Sequence, residues 1–125
     1  MKRIPKISDA EWEVMEVIWK KSPITANDVV DALSGSTAWN HRTIKTMLNR
    51  LLKKGALTYR QDGRTYLYRP AVKRDACVKN ESKSFVEKVF DGATGSMLVH
   101  FVEHEKLSTS DVKELKRILA QSKEK

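Results

Sequence analysis

The chain has 125 residues, 40% of them hydrophobic, with 24 Lys/Arg against 16 Asp/Glu, a net charge of +8 and one cysteine. That length suits one compact domain, or a small domain with an oligomerisation appendage, and its apolar content is enough for a core. The lone Cys77 excludes an intrachain disulfide and a thiolate metal cluster, no apolar run approaches the ~18 residues of a membrane span, and the basic start at Met1-Lys2-Arg3-Ile4-Pro5 lacks the apolar region of a signal peptide.

From these features a cytoplasmic location is expected. The charge is concentrated: residues 42–74 hold ten basic side chains and one acidic one, Asp62. A polyanionic partner is expected to meet that stretch.

Helix starts recur through one device. Ser8 and Glu11 have the spacing of a capping box, with Ile7 and Trp12 as its hydrophobic staple. A first helix over Asp9–Lys20 follows, with Trp12, Met15 and Trp19 along one side. Thr25 and Asp28 repeat the box and open a short second helix to Leu33, ended by Ser34-Gly35-Ser36-Thr37. Asn40 caps a third helix, His41–Lys54, and Gly55 takes the left-handed position after it.

Two short strands are expected next, Leu57–Gln61 and Arg64–Tyr68, joined by Asp62-Gly63 at the centre of a type I′ turn. From Arg74 the helical period returns. Val78, Phe85, Val86, Val89 and Phe90 mark a fourth helix, and Gly92 and Gly95 flank a break. Met97, Leu98, Phe101 and Val102 mark a fifth helix. Ser108 and Asp111 cap a sixth, which carries Val112, Leu115, Ile118 and Leu119. The expected fold is mainly α: three helices and a hairpin over residues 1–72, then three helices over 73–125.

In the third helix Ile44, Met47, Leu48 and Leu51 gather on one side, with Arg42, Lys45, Thr46, Asn49 and Lys53 opposite. The polar side is rich in donors and has no carboxylate. Taken alone it fits an ordinary solvated face. Its residue types also fit base edges in a major groove: Arg forks onto guanine, Asn pairs with adenine, and Thr meets a thymine methyl. A short helix before it makes a helix-turn-helix. The basic hairpin after it, with Arg60 and Arg64, can reach flanking phosphates.

The runs Ile7-Ser8-Asp9-Ala10-Glu11-Trp12-Glu13-Val14-Met15 and Val17-Ile18-Trp19 resemble the opening of the BlaI/MecI-type penicillinase repressors. Trp39, the run Thr43–Leu51 and Lys53-Lys54-Gly55-Ala56-Leu57 are similar to that family's recognition helix, and Gly63-Arg64 with Tyr66-Leu67-Tyr68 to its wing. The resemblance implies a winged-helix DNA-binding domain and a helical dimerisation domain, and adds Thr43 to the DNA-facing residues. It also implies repression of β-lactamase-type antibiotic-resistance genes, relieved when a β-lactam-sensing membrane receptor with a protease domain triggers cleavage. The family's scissile Asn-Phe bond falls at His100-Phe101, where His stands in place of Asn.

The C-terminal helices are too few to sustain a core alone. Their apolar residues, Phe85, Val89, Leu98, Phe101, Val102, Leu115 and Leu119 among them, are expected to be buried against a two-fold partner. His100 and His104 have a helical zinc spacing but no third ligand, so no metal or cofactor is expected. Cys77 reads as a small core hydrophobe. No nucleophile elbow, phosphate loop or carboxylate pair suggests an enzyme. RNA binding and protein docking remain the competing functions. The outward face of the third helix lacks the stacking aromatics of RNA binders, and a docking adaptor would bind operator no better than random duplex.

Overall fold

The computed structural model describes residues 4–122, which form α1 (Asp9–Lys20), α2 (Ala26–Leu33), α3 (His41–Lys54), β1 (Leu57–Asp62), β2 (Thr65–Pro70), α4 (Arg74–Phe90), α5 (Thr94–His104) and α6 (Thr109–Ser122). The chain divides into two compact units, Met1–Ser82 and Lys83–Lys125, with the division inside α4.

Local chemistry sets the helix ends. Glu11 N–H donates to Ser8 Oγ at 3.2 Å and Ser8 N–H to Glu11 Oε1 at 2.9 Å, completing the capping box of α1. Thr25 and Asn40 side chains accept from Asp28 N–H and Thr43 N–H. Ser108 and Asp111 form the reciprocal pair before α6. Gly55 ends α3 at φ 83°, where any side chain would strain the backbone.

The first unit is a winged helix. Val14, Met15 and Ile18 of α1, Val29 and Leu33 of α2, and Ile44, Leu48 and Leu51 of α3 are buried together in one core. Trp12 and Trp19 pack edge-on at its margin, with ring centroids 5.4 Å apart. β1 and β2 pair antiparallel, and Ile24 adds a bridge to Tyr68 through Ile24 N–H to Tyr68 O (3.1 Å) and Tyr68 N–H to Ile24 O (2.8 Å). The segment before α2 is thereby tied to β2 by one isolated antiparallel bridge.

The hairpin corrects the expected turn. Asp62 pairs with Thr65 inside the sheet, so the loop is Gly63-Arg64, not Asp62-Gly63. Gly63 has φ 64°, and neither Asp62 nor Arg64 has a positive φ. Glycine at the first central position is what a type II′ turn needs, and it spares a side chain the left-handed region. Gly95 also departs from its expected place: it lies within the first turn of α5, and only Gly92 marks the break.

The core of the first unit reaches past the hairpin. Val72 and Cys77 belong to it, Trp19 Nε1–H donates to Val72 O at 3.0 Å, and Arg74 forks onto Glu16 with Nε–Oε1 at 2.7 Å. In the second unit Phe85 and Phe101 stack at 6.4 Å and Phe90 meets Phe101 edge-on at 6.3 Å. Among its described residues only Val86, at 9%, is buried.

Candidate nucleic-acid interface

The site is built around α3. Ile44, Met47, Leu48 and Leu51 anchor it in the core, which leaves Arg42, Lys45, Thr46, Asn49 and Lys53 exposed together. At 100° per residue Arg42, Asn49 and Lys53 form the crest of that face, with Lys45 and Thr46 on either side. No carboxylate interrupts it, and among the described residues none of these cations forms an ion pair.

Both threonines are constrained. Thr43 Oγ1 donates to Asn40 Oδ1 at 3.1 Å and so belongs to the helix cap. Thr46 Oγ1 donates to the Arg42 carbonyl at 3.0 Å. Its hydroxyl oxygen can still accept a bond, and its methyl remains available for apolar contact.

The wing adds a second wall. Between α3, the start of α2 and the hairpin lies a cleft of about 690 Å³ lined by Thr25, Ala26, Asn27, His41, Lys45, Gln61, Arg64, Thr65, Tyr66 and Tyr68. The Ile24–Tyr68 bridge brings α2 to the wing, and the Gly63-Arg64 turn puts Arg64 at the cleft's rim. Gln61 Nε2 donates to Gly63 O at 3.1 Å and stiffens the tip.

Arg60 lies elsewhere. It pairs with Leu67, so side-chain alternation sets it on the hairpin face opposite Tyr59, Tyr66 and Tyr68, alongside Arg69. Of the expected DNA-facing residues, the structure gathers Lys45 and Arg64 in the cleft and sets Arg60 apart from them.

The tyrosines divide by depth. Tyr68 is buried, and burial, with Tyr66 and Tyr59 nearby, raises its phenol pKa. Tyr59 and Tyr66 are 48% and 39% exposed and stack on each other at 4.4 Å. Asn27 and His41 are cleft residues that sequence periodicity did not single out, because only the approach of α2 to the wing brings them together.

Beneath this surface Glu11 is buried at 2% and takes hydrogen bonds from Lys54 Nζ and Ser8 N–H. Burial opposes its ionisation, but the hydrogen bonds from Lys54 and Ser8 and the Lys54 charge prevail and hold its pKa below the usual 4.5. Lys54 also donates to Lys6 O at 2.9 Å. The C-terminal end of α3 is thereby pinned to the start of α1.

His100 and His104 stack at 4.4 Å on α5, with His104 Nδ1 2.8 Å from the His100 carbonyl. No group of three or more metal-ligating side chains occurs among the described residues. No described helix is long and apolar enough to cross a membrane.

Residues 7–121 match the family described as Penicillinase repressor. The chain is similar to the penicillinase repressor of Bacillus licheniformis, with 44% identity over 98% of this chain and 96% of that one. It is also similar to the methicillin resistance regulatory protein MecI of Staphylococcus aureus (strain N315), with 37% identity over 91% and 93%. Among solved structures it resembles the DNA binding domain of the repressor BlaI, with 53% identity and a TM-score of 0.54 over 59% of this chain and 90% of that one. It likewise resembles the Bacillus licheniformis BlaI monomeric form in complex with the blaP half-operator, with 52% identity and a TM-score of 0.52 over 60% and 92%.

Proposed function

The chain belongs to the penicillinase repressor family, and on that premise we propose that it represses β-lactam-resistance genes by binding a palindromic operator as a homodimer. The observation that carries this reading is the carboxylate-free face of α3 beside a cleft rimmed by Lys45 and Arg64. Arg42, Lys45, Thr46, Asn49 and Lys53 enter the major groove, while Arg60 and Arg64 on the wing meet phosphates or the minor groove. Thr43 acts through the cap that starts the helix. The reading gives the protein no enzymatic activity of its own and places it in the cytoplasm.

Residues 1–72 serve as the DNA-binding domain in this reading, and 73–125 as the dimerisation domain. Phe85, Val89, Leu98, Phe101, Val102 and Leu119 expose apolar surface in the single chain, and with Leu115 they supply the two-fold contact. Repression ends when a β-lactam-sensing membrane receptor protease causes cleavage at His100-Phe101. That bond lies inside α5, so cleavage requires local opening of the helix.

The test is binding of the full chain to operator duplex, random duplex and single-stranded RNA across a salt series. Operator affinity should exceed both competitors and fall by ~10³ or more between 50 and 200 mM salt. Equal affinity for operator and random duplex, or a flat salt dependence, refutes the proposal.

A further inference from the structure

On the side of α3 away from the wing lies a second groove, of about 360 Å³, whose lining includes Ser8, Trp39, Arg42, Thr46, Met47 and Arg50. At 100° per residue, Thr46 and Arg50 point about 100–180° away from His41 and Lys45, which line the wing cleft. The start of α2 and the wing thus share one flank of α3, and this groove occupies the other.

A helix seated in a major groove ~12 Å wide has a sugar–phosphate backbone on each side. With the wing in the neighbouring minor groove, one backbone passes through the wing cleft. The other must run along the opposite flank. Arg42, Thr46 and Arg50 form an i, i+4, i+8 row about 12 Å long that winds by about 80° from the crest of α3 onto that flank, where Arg50 stands. Arg50 is exposed, and among the described residues neither arginine forms an ion pair. Trp39 and Met47 give the groove an apolar floor on which a sugar can rest.

We propose that this groove is a second phosphate-backbone site and that Arg50 is its charged contact, holding the strand across the major groove from the wing. Binding there fixes how deeply and at what roll α3 sits in the groove, since the helix is then held from both flanks. The inference rests on α3 being the helix that enters the groove.

The experiment compares the full-length protein with Arg50→Ala, Arg50→Lys and Arg64→Ala on a half-operator duplex, with single phosphates replaced in turn by neutral methylphosphonates. Arg50→Ala should lower the slope of log affinity against log salt by about 1, with Arg50→Lys retaining it. Arg50→Ala should also be indifferent to one phosphate whose neutralisation weakens the parent protein, and that phosphate should differ from the one lost with Arg64→Ala. An unchanged slope in Arg50→Ala beside a reduced slope in Arg64→Ala overturns this inference and leaves the DNA reading standing. A parent protein whose duplex binding ignores salt overturns both.

Discussion

Thr46 has already committed its hydroxyl hydrogen to the Arg42 carbonyl, so it meets DNA with a lone pair and a methyl group. Such a residue selects by fit against a base edge and contributes little to general affinity. Thr46→Ala should weaken operator binding by about 1–3 kcal/mol while binding to random duplex stays nearly constant. Arg64, at the rim of the wing cleft, is a charge on a turn, and Arg64→Ala should weaken both duplexes alike. Fluorescence anisotropy on the two duplexes separates these patterns. Parallel losses in both variants would remove the division of labour between helix and wing.

Between elements, the Glu11–Lys54 pair matters most, because it fastens the end of the recognition helix to α1. Lys54→Met leaves the Glu11 carboxylate buried with only the Ser8 amide. Lys54 keeps a 35% exposed side chain, so the expected loss is about 1–2 kcal/mol of stability, less than the ~3–5 kcal/mol of a fully buried pair. The pH dependence has a definite sign. A carboxyl whose folded pKa lies below 4.5 contributes its full stability above that value and loses it as the pH falls through the folded pKa. Denaturant titrations below pH 4.5 should therefore show a shallower decline for Glu11→Gln than for the parent, and matching slopes would contradict the pairing.

Elements also separate what the sequence discloses from what it hides. Capping pairs such as Ser8–Glu11 lie three residues apart, so helix starts were readable, and Gly55 marked the end of α3. The turn slipped by one residue because Asp62-Gly63 and Gly63-Arg64 both satisfy local turn chemistry, and only the pairing register chooses. That slip changes which wing residues stand opposite one another, setting Arg60 across from Leu67 in place of Thr65, but as a shift of two in register it leaves every side chain on its expected face. The Ile24–Tyr68 bridge and the Lys54–Glu11 contact join residues 44 and 43 positions apart, which no helical or strand period can reveal.

For the molecule as a whole, the second unit leaves Val89, Val99, Val102, Ile118 and Leu119 exposed in the single chain. Truncation after His100 removes α6 and the end of α5. Val112, Leu115, Ile118 and Leu119 go with them, each contributing roughly 1.5–3 kcal/mol when fully buried. Sedimentation should show a shift to monomer. Affinity for the full operator should drop toward that for one half-site, because the two half-sites would then be bound independently. A truncated protein that remains dimeric and binds operator as tightly as the full chain would exclude cleavage at this bond as the means of derepression.

Cys77 is the chain's one thiol. It is buried at 2% in the first unit, where burial and then the nearby Glu81 raise its pKa. Being both solitary and hidden, it is a natural clock for the opening of that unit. A thiol-specific dye can react only when the core around Val72 and α1 comes apart. The rate of labelling therefore measures that opening without any introduced probe. Saturating operator at 100 times its dissociation constant should slow the reaction on the order of 100-fold, since ligand binding to the closed form alone suppresses the open one. Rapid labelling indifferent to DNA would mean that the first turns of α4 peel away while the rest of the unit stays folded.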